Sequence, residues 1–85
     1  MTLTPRQTAV LYGIAAGLSS KEIAARMGIS HKTVEAHRAQ MALKVGDGQN
    51  PVKVLRLAVQ NHLLPDNVLA IPAEELLSFM DSLND

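Results

Sequence analysis

Four helix-start signals punctuate this chain, and their spacing leaves room for little except short packed helices. Thr4-Pro5-Arg6-Gln7 combines an N-cap threonine, a proline where the first helical turn has no use for an N–H, and a glutamine able to reach back to the cap. Ser19 to Glu22 repeats the capping box, Ser30 is a third cap, and Asn50-Pro51 is a fourth. Val10, Leu11, Ile14 and Ala15 recur at helical spacing behind the first signal, with Gly17 as the stop. Ile23, Ala24 and Met27 follow the second, and Gly28 is expected in the left-handed region, where a Cβ would clash. The third helix is expected from about His31 to Lys44, broken by Gly46-Asp47-Gly48, and the fourth from Pro51 to about His62. Alternating polar and apolar stretches are absent and the only aromatic residues are Tyr12 and Phe79, so no strand is expected.

Eighty-five residues make one domain. A chain this short buries only about 60–65% of its unfolded surface, so its helices must pack well or find a partner. With no cysteine, neither a disulfide nor a thiolate zinc site can supplement the core. Met1 to Pro5 does not read as a signal peptide, and no apolar run approaches the ~18 residues of a membrane span. A soluble, cytoplasmic chain is the expectation. The net charge of zero conceals a split. All eight basic residues precede Pro65, opposed there only by Glu22, Glu35 and Asp47, which leaves +5 on residues 1–64 and −5 on the rest. A basic body attracts phosphates, and an acidic tail improves solubility or tunes that attraction.

The stretch from Ser20 to Ala39 meets several demands of a helix-turn-helix at once. Two helices crossing steeply need a small residue where they nearly touch and a glycine for the turn, and Ala24 and Gly28 stand in those places. Ile23, Met27, Ile29 and Val34 are expected to bury the angle between them. Leu3-Thr4-Pro5-Arg6-Gln7, then Ala16-Gly17-Leu18-Ser19-Ser20-Lys21-Glu22-Ile23-Ala24, then Ile29-Ser30 and Thr33-Val34-Glu35-Ala36-His37-Arg38 resemble successive blocks of the LuxR/GerE family of DNA-binding domains. The resemblance covers about residues 3–64. It implies an all-α, four-helix domain over residues 1–64, a sequence-specific transcriptional regulator binding double-stranded DNA as a homodimer. Its third helix would enter the major groove and its fourth would pair with a second copy. Most relatives carry a phosphorylatable receiver or a small-molecule sensor ahead of this domain; neither is seen here, so the chain resembles the stand-alone members.

On a helical wheel Lys32, Glu35, Ala36 and Ala39 share one face of the third helix, while Val34, His37 and Met41, with Val45 beyond, share the inward one. The resemblance places Glu35, Ala36 and Ala39 at base-reading positions, with Lys32 beside them. A glutamate accepts from cytosine N4 and an alanine meets a thymine methyl. Many relatives have lysine at the position of Glu35, which implies a different target sequence. Phosphate contacts are expected from Ser20, Lys21, Thr33, Arg38 and Lys44, and the matching family position adds His37, although a structural role suits that imidazole as well. The N-termini near Ser20 and His31 contribute partial positive charge.

Val52, Leu55, Val59 and Leu63 lie on one side of the fourth helix and Val54, Leu57, Ala58 and Leu64 on the other. A surface helix needs one apolar stripe, so the second calls for a cover: a two-fold partner meeting Val52, Leu55, Arg56, Val59 and Leu63, or the chain's own tail. Residues 65–85 form an acidic extension, expected to be helical from about residue 72, with Leu76, Leu77, Met80 and Leu83 apolar and Glu74, Glu75 and Asp81 exposed. Core packing, a larger dimer interface, docking of another protein through residues 72–83 and a frayed end are the alternatives. The rival reading of the whole chain is a protein-interaction module that sequesters another regulator through the fourth helix and this tail. His31, His37 and His62 lack metal-ligand spacing, and no nucleophile elbow, phosphate loop or paired-carboxylate cleft is visible, so neither an enzyme nor a cofactor is expected.

Overall fold

Each of the expected starting signals is used. The computed structural model describes residues 3–45 and 50–84, with Val45 described in its backbone only. The helices are α1 (Pro5–Ala15), α2 (Ser20–Met27), α3 (His31–Val45), α4 (Pro51–Gln60) and α5 (Ala73–Asn84), with a 3₁₀ turn at Val68–Ala70. No strand occurs among the described residues. Thr4 Oγ1 accepts from the Gln7 N–H at 3.1 Å while Gln7 Oε1 accepts from the Thr4 N–H at 3.1 Å. Ser19 and Glu22 make the same reciprocal pair at 3.2 and 2.9 Å. Ser30 Oγ accepts from the Thr33 N–H at 3.1 Å, and Asn50 Oδ1 from the Val52 N–H at 2.9 Å. Each cap satisfies donors that the first helical turn leaves without partners.

The helix ends follow one pattern as well. Gly17 (φ 90) and Gly28 (φ 70) turn the chain out of α1 and α2, and the next N–H in each case returns to the last turn, Leu18 to the Gly13 carbonyl at 3.0 Å and Ile29 to that of Ala24 at 3.1 Å. Helix α4 stops two residues short of the expected His62. There the chain leaves with His62 itself left-handed (φ 58) and the Leu63 N–H bonded to the Ala58 carbonyl at 2.8 Å. The expected break at Gly46-Asp47-Gly48 lies outside the described residues.

Helix α1 is the centre of the molecule, packed against all four others. Val10 and Leu11 from α1, Ile23 from α2, Val34 and Met41 from α3, and Val54 and Ala58 from α4 are fully enclosed. Each large one contributes about 1.5–3 kcal/mol over leaving it in water. Helix α5 lies mainly on α1 and adds Leu76 and Met80 to the same core. It is tied to α2 by a bidentate pair, Arg26 to Asp81 at 3.0 and 2.9 Å, and by Asn84 Nδ2 donating to the Met27 carbonyl at 3.1 Å. The expected apolar face of the tail is therefore turned inward, while Glu74, Glu75 and Asp81 are exposed as anticipated.

Candidate nucleic-acid interface

The inward residues of α3 settle which of its faces remains outside. Val34 and Met41 are buried, His37 is half-buried, and Lys32, Glu35, Ala36 and Ala39 are all exposed together on the opposite side. Two of those four are alanines, so backbone and short side chains can approach a flat surface closely. The turn Gly28-Ile29-Ser30 holds α3 against α2, with Ile23, Ala24 and Met27 buried and Ile29 half-buried in the angle.

The candidate phosphate residues divide into those facing water and those already engaged. Lys21 is exposed at the start of α2. Beside it Ser20 accepts from Arg38 Nη1 at 2.9 Å, a contact that joins the N-terminus of α2 to the middle of α3 and brings two of the expected residues together. Thr33 Oγ1 lies 2.8 Å from Ser30 Oγ, so that hydroxyl serves the cap of α3. His37 Nε2 is buried and has no hydrogen-bond partner among the described residues. Lys44 is further along α3 and donates through Nζ to Gln7 Oε1 at 3.0 Å.

That last contact belongs to a network the sequence reading missed. Gln7 is 3% exposed, and its Oε1 accepts from both Thr4 and Lys44 while its Nε2 donates to Gln40 Oε1 at 2.9 Å. The capping box accounts for Gln7 in sequence; the clue left over is that a buried glutamine has several hydrogen-bonding positions to fill and the cap uses only some of them. Through it the first turn of α1 fixes the last third of α3. At the other end His31 Nε2 stands 3.3 Å from Glu35 Oε1, one turn on, so the candidate cytosine reader has an imidazole as its neighbour. Glu22, exposed in the cap of α2, has its carboxyl held below the ordinary value by the Ser19 N–H and then by the Ser19 hydroxyl.

The residues expected at a dimer contact are less uniform. Val52 is 64% exposed and Arg56 exposed, Val59 and Leu63 are half-buried, and Leu55 is only 9% exposed in the single chain, grouped with Val54 and Ala58 rather than opposite them. Val68, in the segment after α4, is buried as well, at 1% exposure, and lines one groove with Leu55. Among the described residues no cluster of histidine and carboxylate side chains could hold a metal ion, and no helix is long and apolar enough to cross a membrane.

Residues 1–60 match a family described as bacterial regulatory proteins, luxR family. Transcriptional regulatory protein TdiR of Thauera aromatica is 53% identical over 45 residues, 53% of this chain and 20% of TdiR. Transcriptional regulatory protein FixJ of Bradyrhizobium diazoefficiens is 37% identical over 65 residues, 76% of this chain and 31% of FixJ. Transcriptional regulatory protein UhpA of Escherichia coli is 48% identical over 44 residues, 52% of this chain and 22% of UhpA. The chain thus covers between 20% and 31% of the length of these relatives. No solved structure matches it significantly.

Proposed function

The chain belongs to the luxR family of bacterial regulatory proteins, and from that premise we propose that it is a sequence-specific DNA-binding regulator of transcription, acting as a homodimer with α3 in the major groove of each half-site. The observation that carries the reading is the exposed face of α3, where Lys32, Glu35, Ala36 and Ala39 project away from a core sealed by Val34 and Met41. Glu35 accepts from a cytosine amino group, and Ala36 and Ala39 meet thymine methyls. Lys21, Ser20 and Arg38, gathered where α2 begins, hold the phosphates beside that groove, with Thr33, His37 and Lys44 along the same backbone path. Such contacts set register and salt-dependent affinity without reading sequence.

Dimension supports the dimer. Half-sites one helical turn apart are roughly 34 Å centre to centre, and the protomer measures 29 × 27 × 20 Å. Two copies in contact therefore span adjacent major grooves without a linker. The reading involves neither catalysis nor a cofactor, and a cytoplasmic location goes with it.

Selection of bound duplexes from a random pool, at two salt concentrations, tests this. The expected result is a two-fold-symmetric motif, bound more weakly at high salt. Lys21→Ala and Arg38→Ala should weaken every duplex alike and lower the salt slope by about one each, whereas Glu35→Ala should relax the preference at one base pair. A folded protein that selects no motif would refute the reading and leave the protein-interaction alternative.

A further inference from the structure

Between α4 and the segment that follows it runs an open apolar groove of about 500 Å³. Val52, Leu55, Arg56 and Val59 line one wall, and Asp66, Val68 and Leu69 the other. Leu55 and Val68 are its buried floor, while Val52 and Leu69 at its lips are 64% and 75% exposed. Arg56 and Asp66 also face it, both exposed, and among the described residues neither makes an ion pair, with the other or with a third group.

We propose that the groove receives the Val68–Ala70 corner of a second copy, with Leu69 seated against Val52 and Val59 and with Arg56 paired to Asp66 of the other chain. The inference rests on the homodimer reading and adds to it a contact from outside the residues matched to the family, 1–60. Its first support is self-complementarity. A two-fold interface puts one patch against itself, so that patch must hold both projection and recess, and both signs of charge. Leu69 and the groove supply the first pair, Arg56 and Asp66 the second.

Area is the second support. A stable interface hides about 800 Å² on each partner. The ten-residue α4 offers a strip only about 15 Å long and 10 Å wide. Helix against helix falls short of that area, and the 66–70 corner is the adjoining surface able to extend it.

Sedimentation equilibrium of the full chain tests the proposal, with circular dichroism melting as the check that each variant folds. Leu69→Glu should raise the dimer dissociation constant about thirtyfold, as loss of a central anchor does. Arg56→Asp and Asp66→Arg should each raise it about threefold, and their combination should restore it, because the exposed pair is re-formed with its signs exchanged. A wild-type dimer that is broken by Val52→Glu but indifferent to Leu69→Glu and to both charge reversals would overturn the corner contact and leave dimerisation through α4 standing. A wild type that sediments as a monomer at every concentration, with and without its duplex, would overturn the dimer reading and this inference together. Binding of the apolar dye anilinonaphthalene sulfonate to the groove should fall as the dimer forms; equal binding in monomer and dimer would assign the groove to a small apolar ligand and overturn the proposal.

Discussion

Position 13 lies where three helices meet. A Cβ built on Gly13 would stand 2.8 Å from Ile23 Cγ1 and 3.3 Å from the Met80 methyl, so α1 approaches both α2 and α5 through this residue. Alanine in mid-helix normally gains up to 1 kcal/mol over glycine. Here the contact is with the inner part of a fully buried, β-branched side chain that cannot swing aside, and overpacking of this kind costs about 1–3 kcal/mol. The clash wins, and Gly13→Ala should lower the melting temperature by several degrees in calorimetry. His62 is the opposite case. It holds a left-handed φ of 58 in the turn that closes α4, a conformation costing about 1 kcal/mol for a residue with a Cβ. His62→Gly should raise the denaturation midpoint, against a small entropic loss from the freer unfolded chain. A lower midpoint would mean that the imidazole is held by something stronger than the strain.

At the scale of the element, the capping boxes decide where each helix begins and with what pH dependence. Ser19→Ala removes the hydroxyl that accepts from the Glu22 N–H, while the backbone N–H of residue 19 can still donate to the Glu22 carboxylate, and should cost about 1 kcal/mol of stability. The Glu22 carboxyl is lowered in the fold by the Ser19 N–H and hydroxyl. A lowered carboxyl binds its proton more readily unfolded than folded. Its stabilisation is therefore present above the ordinary carboxylate value and is lost as pH falls through the lower folded one. Glu22→Gln keeps an acceptor at every pH, so its stability curve should be flatter on the acid side than that of the wild type; parallel curves in urea titrations from neutral to strongly acidic pH would refute this role. The same cap orders the turn that presents Ser20 and Lys21, so a weakened α2 start should also lower DNA affinity in the proposed reading.

For the molecule as a whole, α5 is the element whose role needed three dimensions. Leu76 and Met80, at 2% and 0% exposure, are buried alongside Ala9, Val10 and Leu11 of α1. Leu76→Ala should cost about 2–5 kcal/mol, a large share of the 5–15 kcal/mol a domain has in hand. Urea denaturation of that variant should show a much earlier midpoint with an unchanged slope. A loss under 1 kcal/mol would mean that α5 is a detachable appendage. The Arg26–Asp81 pair, 40% and 52% exposed, adds little to that sum but fixes the angle of α5 against α2.

Helix number, the caps and the faces of α3 were legible in the sequence because each depends on residues three or four apart. Thr4 and Gln7, Ser19 and Glu22, and Val34 with His37 and Met41 are local relations that survive whatever the rest of the chain does. Gln7 to Lys44, Arg26 to Asp81, Gly13 against Ile23 and Met80, and Leu55 with Val68 along one groove join positions ten to sixty-seven residues apart. Such pairs carry no periodic signal, since their partners are chosen by which helix faces fit once packed. The amphipathic face of residues 73–84 was readable from spacing, but not what it would cover. Packing chose α1, where burial of Leu76 and Met80 completes the core around Gly13, and the same chain path left the groove beside α4 open.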